Sequence, residues 1–358
     1  MSLFETEAVP RTRRRFGLGF LALASVSMLG LVALPTPYVI ERPGPTFDLL
    51  AQTDGQSVIS IEGAKVYPTE GELHLLTVSI VGNRNATPSW LELGMAWLDP
   101  SQSVIPIDQV FPANQTVEQS EAESTALMEI SQQDAIAAAL LELGYEVPGR
   151  VYISQVNTGS PASKKLVASD FVVAIDSVKV STVEQLRELV AKYDGQKPLT
   201  VTVLRNGSQF DYEITPVKDD TGAWRLGIIV GYKYDFPIQV KLELADVGGP
   251  SGGLMFALAV IDKLTPGDLT SKNIIAGTGT ISPTGAVGPI GGIQQKMFSA
   301  VREGATLFFA PKSNCDEVIG HVPEGLTVIA VESLDDSLSA LTAVKNQNYS
   351  SLPTCSAN

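Results

Sequence analysis

Apolar positions along the chain follow three patterns: one uninterrupted run, several short alternations, and apolar stripes at helical spacing. The uninterrupted run, Phe16 to Leu34, has 19 residues without a charge and ends at Pro35. As a helix it would rise about 28 Å, close to the thickness of a hydrocarbon core. Arg11, Arg13, Arg14 and Arg15 precede it, and such a cluster stays on the cytoplasmic side, leaving everything beyond Pro35 outside. A cleaved signal peptide is the competing reading. The run is long for an h-region and no small-x-small site follows it, so an uncleaved single-pass anchor is expected, with the rest of the chain extracytoplasmic.

Strand-like runs occupy Tyr38 to Pro45 and Leu73 to Ile80, separated by turn residues. Glu118 to Glu129 is acidic and polar and reads as a linker or solvated face. From Ser131 to about Leu143 the apolar residues Ile136, Ala139, Leu140 and Leu143 fall at helical spacing. Ser131 has the character of an N-cap with Asp134 three residues on, and Gly144 fits the position just past the helix end. Gly149–Val156 alternates, Asn157–Ala162 is a turn, and Leu166–Val178 contains a strand. Thr182–Tyr193 is a capped amphipathic helix, and Leu199–Arg205 with Asn206-Gly207 begins a hairpin. Leu254 to Ile261 is apolar on every side, the signature of a buried helix, and Gly248-Gly249-Pro250-Ser251-Gly252-Gly253 leads into it.

Composition adds little to this outline. Hydrophobic residues make up 44% of the 358, with 31 Gly and 22 Pro, as in an ordered multidomain chain. A formal net charge of −14, with no basic stripe outside the N-terminus, excludes nucleic acid as the expected partner.

Chemistry concentrates at two places. Ser251 sits in a glycine-rich turn at a helix N-terminus, where free N–H groups and the positive dipole end can hold an oxyanion. Its neighbours Gly249 and Gly252 let a substrate backbone approach. The only histidines are His74, in a strand, and His321, in a loop; neither has the setting of a triad base. Lys296 lies early in a helix beside Ile293, Met297 and Ala300, where a desolvated amine can serve as base.

Taken together, these segments resemble the proteolytic domain of the Lon family. Pro250-Ser251 lies in that family's serine turn. Ile274–Ile281 is similar to its strand ending in Thr-Gly, Gly285–Gly292 to its Gly-x-Val-x-Pro-Ile-Gly-Gly hairpin, and Lys296 follows the serine by 45 residues. The resemblance covers residues 230 to 345. It implies an α+β peptidase domain in which Ser251 is the nucleophile, Lys296 the base and Thr278 a hydroxyl that orients the lysine; Gly248 departs from the acidic residue often found there, and the role of Asp246 is left open. It also implies polypeptide substrates and a closed homo-oligomer. Residues 148 to 218 resemble a bacterial PDZ domain through Gly159-Ser160-Pro161-Ala162 and Leu166-x-x-x-Asp170, with Ser169 in place of glycine and Asp176-Ser177 in place of Asn-Gly. That resemblance implies a peptide groove along Val151, Tyr152 and Ile153, facing the Thr182–Tyr193 helix.

The expected organisation is therefore a tail and transmembrane anchor (1–37), a strand-containing extracytoplasmic module (38–128), a PDZ-like domain (129–219), a Lon-type proteolytic domain (220–345) and a tail (346–358). No Gly-x-x-x-x-Gly-Lys-Ser/Thr sequence occurs, so the resemblance extends to a protease without the ATP motor; no metal or cofactor is implied. Cys315 and Cys355, the only cysteines, either pair in an oxidising compartment or remain free. The expected activity is a membrane-anchored, ATP-independent serine endopeptidase. The alternative from another class is a non-catalytic PDZ scaffold carrying a degenerate Lon-like platform.

Overall fold

The computed structural model describes residues 34–53, 56–111, 116–219, 221–244 and 247–355, together with Ser25 and Gly30. Two compact units divide the chain, one comprising Met1–Arg42 and Ser79–Val117, the other Pro43–Val78 and Glu118–Asn358. In the first, residues Tyr38–Glu41 pair antiparallel with Ser103–Pro106. The helix Trp90–Ala96, closed by a Ser89/Glu92 capping box, buries Leu93 and Ala96 with Ile40.

The second unit is built on parallel strands in the order Thr327–Val331, Leu307–Pro311, Ile274–Gly277 and Glu72–Val81. Successive residues of a strand face opposite sides, and here both sides are covered. Leu75, Ile275, Phe309 and Ile329 join one core cluster, whereas Leu76, Ala276, Phe308 and Val328 join another. That is why these strands read as continuous apolar runs. The helix Gly253–Leu264 packs into the first cluster, with every residue from Gly253 to Lys263 buried. Each of its large apolar side chains contributes about 1.5–3 kcal/mol by leaving water. The helix stops at Thr265, whose conformation is extended as the following proline requires. The helix Ile293–Arg302 packs on the opposite face through Ile293, Met297 and Ala300.

A helix of 26 residues, Val117–Glu142, joins this core. The acidic stretch expected as a linker or solvated face forms its first half, because Glu, Ala, Leu and Met are strong helix formers. Ser131 consequently lies inside the helix rather than capping it. Met128, Ala135, Ala138 and Ala139 pack with the serine-bearing helix.

The chain then builds an antiparallel sheet in the order Ser208–Ile214, Leu199–Arg205, Phe171–Ile175, Gly149–Val156 and Ile228–Tyr234, covered by the helix Val183–Ala191 with its Thr182/Gln185 capping box. This is the PDZ-like part. Its last strand comes from beyond residue 219 and pairs along the whole of Gly149–Val156. Afterwards Gln239–Leu242 pairs with Ile59–Glu62, so the PDZ-like sheet is an insertion in the peptidase-like core. Residues 43–78, expected in a separate module, belong to that core. Cys315 and Cys355 are disulfide-bonded.

The expected fold class is corrected at its N-terminus. Among the described residues no helix is long and apolar enough to cross a membrane, so the transmembrane helix is not part of this α+β architecture. The one helix of sufficient length, Val117–Glu142, carries Glu118, Glu121, Glu123, Glu129, Asp134 and Glu142, a charge density that lipid does not tolerate. The other described helices span 12 residues or fewer. Apart from Ser25, Gly30 and Leu34, the segment Phe16–Leu34 lies outside the described residues.

Candidate active site

Ser251 precedes a helix on one face of the parallel sheet and Lys296 lies in a helix on the other, yet the Ser251 carbonyl and the Lys296 amine meet the same hydroxyl. Thr278 follows the C-terminal end of the strand Ile274–Gly277, and its fully buried hydroxyl joins them. Lys296 Nζ donates to Thr278 Oγ1 at 3.0 Å, and Thr278 Oγ1 donates to the carbonyl oxygen of Ser251 at 3.0 Å. Lys296 is 3% exposed. Its helix starts at Gly292, whose left-handed φ of 65° and close approach to Val78, 2.5 Å from an added Cβ, both demand glycine.

The serine turn is held from several sides. The carbonyl of Ser251 also accepts the N–H of Gly279 at 2.8 Å, and Leu254 N–H donates to Gly279 O at 3.1 Å. Gly252 packs so closely that a Cβ would stand 2.5 Å from Leu75 Cδ1 and 3.1 Å from Phe256 Cε2. Gly249 has open space around it but a φ of +81°. The long helix supplies two further restraints that nothing in the local sequence suggests. Gly249 N–H donates to Ser124 O at 2.9 Å, and Ser131 Oγ donates to Pro250 O at 2.9 Å. Their sequence separation, 119 residues for Ser131 and Pro250, puts them beyond any motif. Asp246 lies outside the described residues.

His74 pairs with Glu72 at 2.5 Å inside the sheet, and His321 is an exposed loop residue. Among the described residues no group of His, Cys, Asp and Glu is arranged to hold a metal ion.

The PDZ-like strand expected to line a peptide groove is an inner one. Val151, Tyr152 and Ile153 face Tyr232, Gly231 and Val230 in the ladder, and Val151 and Ile153 are buried in the PDZ-like core. The strand that ends the sheet, next to the helix Val183–Ala191, is Ile228–Tyr234. A cavity of about 410 Å³ lies against it, bounded by Val183 and Arg187 of that helix, by Ile130 and Asp134 of the long helix, and by Pro250 and Ile281 beside the serine turn. Asp134 accepts a hydrogen bond from Tyr234 Oη at 2.7 Å. Burial pushes its carboxyl up to about 7, against the lowering effect of that bond. Burial, then the nearby Asp134, pushes the Tyr234 phenol upward as well.

Residues 237–343 match the Lon protease (S16) C-terminal proteolytic domain, and residues 114–215 match the PDZ domain family. Lon protease of Campylobacter concisus is 36% identical over 118 residues, which is 32% of this chain and 14% of that protein. Lon protease 1 of Bacillus subtilis is 38% identical over 109 residues, 30% of this chain and 14% of its own length. The chain thus spans about 14% of these relatives. The PDZ domain of an SdrC-like protein from Listeria monocytogenes aligns with 23% of this chain and 86% of its own at 18% identity, with a TM-score of 0.22, too slight a likeness to bear on the fold. The C-terminal part of the chain is thus similar to the proteolytic domain of Lon serine peptidases, and the part that precedes it to PDZ domains.

Proposed function

We propose that the protein is a serine endopeptidase in which Ser251 is the nucleophile and Lys296 the general base. One observation carries the reading: the relay from buried Lys296 Nζ through Thr278 Oγ1 to the main chain of Ser251, 3.0 Å at each step. In the reaction, neutral Lys296 takes the Ser251 hydroxyl proton as Oγ attacks the peptide carbonyl carbon. Backbone N–H groups at the helix start receive the developing oxyanion. The lysine ammonium returns the proton to the leaving amine, and water then hydrolyses the acyl-serine with Lys296 again as base. Thr278 orients the amine and keeps its own proton, hydrogen-bonded to the Ser251 carbonyl, throughout.

Substrates on this reading are flexible polypeptide segments. An extended segment adds to the sheet along Ile228–Tyr234 beneath the helix Val183–Ala191, and the cavity there leads to Pro250, the neighbour of the nucleophile. Cleavage proceeds without ATP, and the Cys315–Cys355 bond supports an oxidising, extracytoplasmic setting.

The test is to incubate the protein with an unstructured polypeptide and map the cuts by mass spectrometry. Wild type cleaves with or without ATP and chelator, whereas Ser251→Ala and Lys296→Ala, folded by circular dichroism, do not. Cleavage retained in Lys296→Ala would show that the base is another group.

A further inference from the structure

We infer that Ser131, outside the segment that matches the proteolytic domain, is a positioning residue of the active site: its hydroxyl aims the N–H of Ser251 at the oxyanion. The inference rests on Ser251 being the nucleophile. In a trans peptide the C=O and the following N–H point in opposite directions. Holding a carbonyl therefore fixes the aim of the N–H one residue on.

Two peptide planes flank the nucleophile. The second, Ser251–Gly252, is held by Thr278 Oγ1 at 3.0 Å and Gly279 N–H at 2.8 Å, both on the Ser251 carbonyl. The first, Pro250–Ser251, is held through the Pro250 carbonyl, and its short bond comes from Ser131 Oγ at 2.9 Å. Among the described residues the only other donor to that oxygen is Gly253 N–H, at 3.5 Å. With both carbonyls turned inward, the N–H groups of Ser251 and Gly252 turn the other way, and neither meets an acceptor among the described residues. Free donors beside the attacking oxygen are what a tetrahedral intermediate needs.

Ser131 can hold this aim because it is itself buried within the core. It is 4% exposed and sits in the middle of a 26-residue helix whose Met128, Ala135 and Ala138 pack in the same core as the serine-bearing helix. A Cβ on Gly253 would come within 3.0 Å of its Oγ, so hydroxyl and turn are in direct contact. The bond's role is geometric, since the Ser131 hydroxyl is committed to the Pro250 carbonyl.

Ser131→Ala removes the bond and adds no bulk. The expected result is a fall in kcat of about ten- to a hundred-fold, the scale of a misplaced reacting group, with KM within about two-fold. Ser337→Ala is the control, because Ser337 is equally buried and donates to a backbone carbonyl, Ser333 O, at 3.1 Å, far from the turn in sequence; its kinetics stay unchanged. A second measurement separates aim from general loosening. A peptidyl aldehyde forms an oxyanion on Ser251, whereas the matching peptidyl alcohol does not, so Ser131→Ala should lose aldehyde affinity about ten-fold and alcohol affinity not at all. Unchanged kcat and aldehyde affinity in Ser131→Ala, or equal losses for aldehyde and alcohol, would overturn the inference. If Ser251→Ala itself cleaves as well as wild type, it is the nucleophile assignment that fails.

Discussion

The carboxyl of Asp134 ought to make the stability of the long helix depend on pH in a direction opposite to that of most aspartates. Its ordinary value of 3.8 is raised to about 7 by burial. Below pH 4 the group is protonated whether the chain is folded or not. Between pH 4 and 7 the folded protein keeps a proton that the unfolded chain has released, so folding stability declines as pH rises, and above 7 the loss is complete. At 1.36 kcal/mol per pH unit the full difference is about 4 kcal/mol, and the side chain's partial contact with water reduces it to a working range of about 2–4 kcal/mol. The groups facing it are Tyr234, Glu184 and Arg187, with Tyr232 nearby on the strand.

Asp134→Asn keeps an oxygen for the Tyr234 hydroxyl and removes the charge. The variant should match wild type at pH 4 and exceed it by about 2–4 kcal/mol at pH 8. Hydrogen exchange of the amides from 131 to 140 is the suitable assay, because it reads opening of this helix apart from the other unit. Carbon-13 NMR of the labelled carboxyl gives the midpoint directly. Since the Tyr234 bond favours the ionised form, Tyr234→Phe should move that midpoint still higher. A midpoint near 4, or an Asp-to-Asn stability difference that is constant from pH 4 to 8, would refute the reasoning.

Thr278→Val should lower kcat at least ten-fold and cost about 1–3 kcal/mol, because Lys296 Nζ loses a buried acceptor and Ser251 O a donor; Thr278→Ser should restore most of both, as steady-state kinetics and thermal melting will show. Replacing Cys355 with serine opens a crosslink between residues 40 apart and should cost up to about 4 kcal/mol on the loop-entropy estimate, measured by denaturant titration; an unchanged midpoint would mean the bond contributes nothing. Gly252→Ala drives a Cβ to 2.5 Å from Leu75 Cδ1 and should cost about 1–3 kcal/mol with loss of activity, whereas Gly249→Ala meets no atom within 4 Å and should cost only about 1 kcal/mol of backbone strain.

What the sequence disclosed was local. The capped helix that begins at Thr182, the glycine turn before an all-apolar helix and the Gly285–Gly292 approach to the lysine are short-range patterns, each with its own physical reason. Where local signals conflicted with packing, packing decided. Ser131 and Asp134 have the spacing of a cap, yet the fourteen residues before them also favour helix, and both side chains have distant partners instead: Pro250 and Tyr234.

The harder features were invisible because they join remote stretches. Glu72–Leu75 pairs with Ile274–Gly277, and Ile228–Tyr234 completes a sheet begun at Gly149; no periodicity within either segment names its partner. An insertion makes this worse, since dividing a chain into consecutive blocks cannot represent a core whose pieces flank another domain. The same topology has a physical consequence. The PDZ-like sheet is inserted after the long helix that holds Gly249 and Pro250, and its terminal strand packs on that helix, with Gly231 so close to Ile130 that a Cβ would stand 2.9 Å away. On the proposed function, a segment seated along Ile228–Tyr234 would lie beside the same helix that restrains the serine turn, giving substrate recognition and nucleophile alignment a common mechanical element.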